Sequence, residues 1–492
     1  MFECLNMNRY LKIISQMLKI SIVMLFACKA EGELFVTGVS LNKTTLSLEQ
    51  GSKETLVATI TPKKATNKTV SWSSSDNSVA TVSTGGELTA VNAGTTTITV
   101  ITQDGGKRAT CDVTVFIPFI AITNIIEVPS TIKTGKPLTL TGEVVPSNAS
   151  KKTIIWSIVH EGSTGATISD NILNTFVAGY VVIQATIKDG LGPGEDYKQE
   201  FIIYVELSGV WTGKADFSGG IRSGAVGFSI GNKGYIGTGG DGIRCYQDFW
   251  EYDPVLNSWT KKADFEGGKR CRAVGFSIGN KGYIGTGESE YGNHQDFWEY
   301  DPVSNKWTKK ADFGGEARYV AVGFSIGSKG YIGTGWNGND DLQDFWEYDP
   351  DLDRWTERVK FPGEKRRLAV GFSIGDKGYL GTGGDYFVDF WEYNPVRNNW
   401  TQKENIPNGG TVSAVGFSIG NKGYIGTGYP WGRRDFWEYD PVSNIWIQKA
   451  DYAGGGREAS VGFSIGNKGY MGTGFTYDGG AQNKQDFWEF EP

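Results

Sequence analysis

The sequence predicts an all-β protein, and three observations carry that prediction. Glycine and aromatic residues are both abundant, with Gly 69, Trp 16, Tyr 22 and Phe 26 in 492 residues, the mixture that many short strands and tight turns require. From Val36 onward apolar and polar residues alternate in short runs, and nothing after Cys28 has the longer period of an amphipathic helix. Finally, one block recurs six times, beginning at Ala225, Ala273, Ala321, Ala369, Ala414 and Ser460. A chain of this length exceeds a single hydrophobic core, so several domains are expected.

Residues 1–28 read as an address. Arg9, Lys12 and Lys19 precede the apolar run from Ile20 to Ala27, which is too short to span a bilayer but matches a signal-peptide core of ~7–15 residues. The run ends in Leu25-Phe26-Ala27-Cys28, which resembles a bacterial lipobox. That resemblance implies diacylation of Cys28, export, and a lipid-anchored place at the outer membrane or cell surface; two acyl chains anchor stably where one does not. Residues 29–35 are a linker. If Cys28 is lipidated and Cys4 removed, Cys111, Cys245 and Cys271 remain, so at most one disulfide forms, and whether Cys245 pairs with Cys271 is left open.

Residues 36–116 show turn signals every eight to twelve residues, the spacing of a β-sandwich. The segments KTVSWSSSDNSVATVS and GELTAVNAGTTTITV resemble the bacterial Ig-like group 2 family, which implies that Trp72 lies in the core. Residues 117–207 carry a fainter copy, with TIIWSIV around Trp156 and VAGYVVIQATIKDG. Both are expected to act as a stalk. Cys111 reads as a small buried residue.

Residues 208–492 hold the repeats. Each AVGFSIGNKGYIGTG block is followed by Asp-Phe-Trp-Glu, beginning at Asp248, Asp296, Asp344, Asp389, Asp435 and Asp486, and a Trp-led strand follows an Asp-Pro or Asn-Pro turn in the first five. The tyrosine, turn and tryptophan resemble the kelch repeat, which implies a six-bladed β-propeller of four-stranded blades. The Gly-Thr-Gly at Gly237-Thr238-Gly239 departs from the Gly-Gly usual in that family. The fourth-strand signature appears at Trp211, before the first block, while the last block stops after its third strand. The orphan segment Val210 to Phe217 is therefore predicted to pair with Gln485 to Phe490 and close the ring, removing an open sheet edge.

In such a ring the NKG and Asp-Pro turns share one face and the variable loops share the other. Aromatic residues on the variable loops, Tyr246, Tyr291, Trp336, Tyr386, Trp431 and Tyr477, are the leading ligand contacts. Arg222, Arg270, Arg318, Arg366 and Arg457 recur at the start of the inner strands, with Thr411 the exception. They read either as a cationic ring at the channel mouth favouring an anionic sugar, or as structural partners of Asp216, Asp264, Asp312 and Asp451. The recurring lysines and glutamates read as turn chemistry and ion pairs.

The net charge of −7 gives no footprint for nucleic acid. Two histidines, His160 and His294, are too few for imidazole metal chemistry or for the copper-radical site of galactose oxidase, and no catalytic residue, metal or cofactor is expected. Asn337, Asn339, Asp340 and Asp341 bring oxygens together without EF-hand spacing. The expected function is a monomeric, surface-anchored protein that binds a glycan or an extracellular protein. The alternative is a carbohydrate-active enzyme of the kind represented by sialic acid mutarotases, with Glu288, Glu290, Asp241 and Asp385 as possible acids or bases.

Overall fold

The computed structural model describes residues 33–407, 409–430 and 432–492, and no α-helix occurs among them. Cys28 and its leader lie outside the described residues, as does Trp431. Two compact units form: one extends to Ala121 with Asn148–Ser150, the other comprises Ile122–Ser147 and Lys151–Pro492.

The first unit is a sandwich. Its four-stranded sheet runs Thr45–Glu49, Arg108–Phe116, Gly94–Thr102 and Val70–Ser74, facing a smaller sheet of Lys53–Thr55, Glu87–Ala90 and Ala80–Val82. The alternation in TTTITVIT sends Ile98 and Val100 fully inward. Cys111 joins them in the core, and burial raises its thiol pKa. Trp72 packs against this core half-buried rather than at its centre.

The second sandwich repeats the same strand order. Thr131–Lys133, Glu195–Glu206, Gly179–Gly192 and Ile155–His160 form its larger sheet, and the first of these runs parallel to its neighbour, as the corresponding strand does in the first sandwich. Trp156 is buried.

Six antiparallel four-stranded sheets follow, and these are blades 1 to 6. Their inner strands, Val226–Ile230, Val274–Ile278, Val322–Ile326, Val370–Ile374, Val415–Ile419 and Val461–Ile465, touch in sequence, and the last touches the first. The glycine in each VGFSI strand permits this approach: a Cβ on Gly323 would sit 2.0 Å from Val274 Cγ1 of the preceding blade. Aromatic rings fill the space between blades. Phe249 packs edge-on against Tyr300 at 4.8 Å and Trp307 at 5.0 Å in blade 2, while Tyr252, on the opposite face of its strand, meets Phe487 of blade 6 at 4.9 Å.

The ring closes as the strand arithmetic requires. Val210–Gly213 pairs antiparallel with Phe487–Glu491, Trp211 facing Phe490, and the Phe217 amide continues the contact by donating to the Gln485 carbonyl at 2.7 Å. Trp211 donates its indole N–H to the Ala450 carbonyl at 3.0 Å and packs on Phe436, Tyr452 and Phe490.

The second sandwich belongs to the same compact unit as the ring and grips the outer strand of blade 5, Ile445–Lys449. The Thr134 hydroxyl donates to the Gln448 carbonyl at 2.6 Å, the Gln448 amide donates to the Phe176 carbonyl at 2.8 Å, and the Ala450 amide donates to the Ser208 carbonyl at 2.8 Å. A Cβ on Gly135 would come within 3.0 Å of the Ile447 side chain. The cause is local: the corresponding strand of blade 2 reads KWTK, whereas blade 5 reads IWIQK, with apolar Ile445 and Ile447 where a solvated strand carries Lys306 and Thr308.

Candidate functional site

The site is built on the residues that lead into the inner strands. In each blade two residues separate the recurrent arginine, or Thr411, from the alanine or serine that begins the repeat. The second of the two, Gly224, Arg272, Val320, Leu368, Ser413 or Ala459, has φ between 49° and 60°. Such a backbone costs a non-glycine residue of order 1–3 kcal/mol, most for a β-branched one such as Val320. The compensation is a closed cycle of hydrogen bonds. Arg272 N–H donates to Gly224 O at 2.8 Å, Val320 to Arg272 at 3.1 Å, Leu368 to Val320 at 3.1 Å, Ser413 to Leu368 at 3.0 Å, Ala459 to Ser413 at 2.9 Å, and Gly224 to Ala459 at 2.9 Å. Each blade thus hands one hydrogen bond to the next around the axis, and the six residues line a cavity of about 920 Å³ above this collar.

Arg222, Arg270, Arg318, Arg366 and Arg457 take no part in the cavity wall; all five are fully buried. Burial removes them from the channel mouth and leaves them the structural role, with a different aspartate from the one expected. Each is held by the aspartate of its own blade's Asp-Phe-Trp segment, not by the Lys-Ala-Asp-Phe aspartates. Arg318 donates to Asp344 Oδ1 at 2.5 Å and Oδ2 at 2.7 Å, and to the Thr334 carbonyl at 2.9 Å, with its guanidinium 4.8 Å above the Phe313 ring. The reason is side-chain direction: Phe313 turns inward, so the adjacent Asp312 turns outward and pairs with Lys309 at 3.1 Å. In blade 5 the arginine and phenylalanine are replaced by Thr411 and Ile406, and Thr411 donates to the Thr427 carbonyl at 3.2 Å.

The aromatic candidates divide. Tyr386 and Tyr477 flank Tyr429, with ring centroids 6.1 and 6.2 Å from it, and Phe475 lies 5.1 Å from Tyr477, an arc across blades 4, 5 and 6. Tyr429, Phe475 and Tyr477 line the cavity, as does Tyr319. Trp336 is half-buried under the Arg367 guanidinium, 4.3 Å from its ring. Tyr246 is held below Arg222 at 4.7 Å and donates its hydroxyl to Asp241 at 2.6 Å. Tyr291 stands apart, 88% exposed.

Charges at the mouth are matched at short range. Asp241 accepts from the Tyr246 hydroxyl, from the Arg244 and Ile243 amides, and from the Arg244 side chain, which hold its carboxyl far below the usual range. Arg272 pairs with Glu288 at 2.7 Å. Burial raises the Glu458 carboxyl, while the Tyr477 hydroxyl, 3.3 Å away, and the Arg272 charge oppose that shift. Arg367 lies 3.7 Å from Asp341, whose carboxyl burial likewise raises. Asn337 Oδ1 accepts from the Asn339 and Asp340 amides at 2.8 Å, so this oxygen serves a turn.

Cys245 and Cys271 form a disulfide with Cα atoms 5.4 Å apart, tying the variable loop of blade 1 to the start of blade 2. Arg272, Tyr319, Arg367, Tyr429 and Glu458 were not among the sequence candidates. For Arg272, Tyr319, Arg367 and Glu458 the signal was the variation immediately before each nearly invariant inner strand, whereas Tyr429 begins the variable loop of blade 5 beside the more conspicuous Trp431.

Among known proteins, an uncharacterized protein of Clostridium acetobutylicum is 32% identical over 160 residues, covering 32% of this chain and 16% of its own. An alpha-L-arabinofuranosidase of Bifidobacterium longum subsp. longum is 52% identical over 79 residues, covering 16% of this chain and 7% of its own. A kappa-carrageenase of Pseudoalteromonas carrageenovora is 46% identical over 72 residues, covering 15% of this chain and 18% of its own. The chain therefore spans less than a fifth of each of these relatives. The solved structure of YjhT superposes with a TM-score of 0.48 at 18% identity, covering 56% of this chain and 95% of that one. For the first sandwich the family itself is matched: residues 35–113 fit the bacterial Ig-like domain, group 2.

Proposed function

We propose that the variable face of the ring is a glycan-binding surface and that its ligand is uncharged. The observation that carries this reading is the arc of Tyr386, Tyr429 and Tyr477 beside charges that already neutralise one another, Arg272 with Glu288 and Arg367 with Asp341. Aromatic faces offer an apolar platform to the C–H face of a sugar ring, and fixed polar groups around them select its hydroxyls. Matched charges leave no net field to attract an anion. Similarity to segments of proteins named as an arabinofuranosidase and a carrageenase supports a carbohydrate setting. Binding is favoured over catalysis because two of the four carboxylates that the sequence offered as acids or bases are engaged within the protein, Asp241 by hydrogen bonds from three residues and Glu288 by Arg272.

A glycan array probed with the purified protein tests the reading. Tyr429→Ala is expected to weaken binding to the selected neutral glycans by about tenfold, the value of one aromatic contact. Val303→Ser, on the exposed turn face, is expected to leave it unchanged. An array on which only acidic glycans respond would refute the uncharged ligand.

The proposal includes display outside the cell through a lipid on Cys28, supported by the Leu25-Phe26-Ala27-Cys28 sequence. Cells fed labelled palmitate are expected to label the wild-type protein and not Cys28→Ser; equal labelling of both would remove the anchor.

A further inference from the structure

A second cavity of about 750 Å³ lies between blades 1 and 2, over the Cys245–Cys271 disulfide. Arg244, Gln247, Lys269, Glu290, Tyr291 and His294 are among its walls. Ser223, Gly242 and Arg272 line both this cavity and the axial one, so the two adjoin, and end to end they make a trough from the axis toward the rim.

Three features give the trough a direction. The axial end rests on the collar of six backbone hydrogen bonds, which narrows the axis and presents the side chains of Val320 and Leu368 to the cavity. A chain meeting such a collar arrives by its end. The middle is rigid, because the disulfide fixes the loop of blade 1 against the start of blade 2, and a preformed surface does not lose ordering entropy on binding. The outer end carries Tyr291, whose ring is left 88% exposed in a two-strand hairpin formed by Glu288–Ser289 and Gly292–Asn293. An aromatic ring presented in this way is a stacking platform without an intramolecular partner among the described contacts. Along the way charges of both signs balance: Arg244 pairs with Asp241 at 3.3 Å, Arg272 with Glu288 at 2.7 Å, and Lys269 and Glu290 add one of each sign.

We infer that the ligand is the end of a linear, neutral oligosaccharide of several units. Its terminal sugar occupies the axial cavity, and the following sugars run over the disulfide to Tyr291. Each cavity alone has the volume of a complete small-molecule site, so a single sugar ring leaves most of the trough unfilled. The inference rests on the glycan reading above and adds to it a chain length and an exit.

Titration calorimetry of the purified protein with linear xylo-, gluco-, manno- and galacto-oligosaccharides, from monosaccharide to hexasaccharide, tests both. In the series that binds, Kd is expected to fall about tenfold between the shortest and the longest chains and then to level off. Tyr291→Ala is expected to abolish that gain while leaving the shortest ligands within about twofold of wild type, and Tyr429→Ala to weaken every length. Because Tyr291 is exposed, an unchanged melting curve will show that the variant is folded. Equal affinity for one unit and six overturns the trough and leaves the glycan site standing. A length gain that survives Tyr291→Ala overturns the assigned exit, and no binding at any length by the wild type overturns both proposals.

Discussion

Arg318→Met is expected to destabilise the ring by about 3–5 kcal/mol, the cost of removing one partner from a buried ion pair and leaving the other uncompensated. The guanidinium is fully buried and satisfies both oxygens of Asp344 and the Thr334 carbonyl, and without it the largely buried Asp344 keeps only the Trp346 indole N–H and its 21% exposed edge. A melting temperature lowered by roughly 10 °C is the expected reading. Arg318→Met with Asp344→Leu is expected to recover much of the loss, since the desolvated carboxylate is gone. A single variant that melts as the wild type does would show that the pair contributes nothing.

The same pairs set the acid limit. At Asp344 and Asp296 burial opposes ionisation, but the hydrogen bonds and charge of Arg318 and Arg270 prevail and lower both carboxyl pKa values. A lowered carboxyl pKa contributes stability that is complete above the ordinary aspartate value of 3.8 and is lost as pH falls through the folded value. The melting temperature is therefore expected to fall as pH drops below about 4, and the decline should be shallower in the Arg318→Met, Asp344→Leu pair.

The second large effect is expected at the closure. Replacing Val210 to Phe217 with glycine and serine of equal length removes the strand that pairs with Phe487–Glu491, together with the Trp211 contacts to Phe436, Tyr452 and Phe490. The loss of Trp211 and the buried Phe217 alone amounts to at least about 5 kcal/mol. It also bares a sheet edge competent to pair with another chain. Loss of the single cooperative transition, with aggregation before complete unfolding, is the expected outcome in calorimetry and light scattering. An unaltered transition would mean that the ring holds without this strand.

Sequence and structure agree where the information is local and repeated. Six blocks define six blades, and the orphan Trp211 segment matches the vacancy in blade 6, because a missing strand in a periodic pattern is visible as a count. The arginine partners were misassigned for the opposite reason. Every arginine but Arg366 follows a nearby aspartate at one fixed spacing, whereas its true partner lies 23 to 29 residues further on, and only the fold shows that this distant one faces inward beside Phe-Trp while the near one turns to solvent. In the candidate site the long loops drew attention to Tyr291, Trp336 and Tyr386, whereas the cavity also uses single-residue variation at Arg272, Val320, Leu368 and Ser413. Ile445 and Ile447 were legible as apolar intruders in an outer strand, but nothing in the sequence named the second sandwich as their cover.

That cover decides how tension would travel through the molecule. The chain leaves the second sandwich through Glu195–Glu206 and within a few residues becomes the closing strand Val210–Gly213. Without the grip on blade 5, a pull from the N-terminal side would arrive directly at that strand and peel it from Phe487–Glu491 one rung at a time. With Thr134, Phe176 and Ser208 fastened to Gln448 and Ala450, the pull is shared with the neighbouring blade before it reaches the seam. The seam is thereby shielded from the mechanical work that a load on the N-terminal side would do on it.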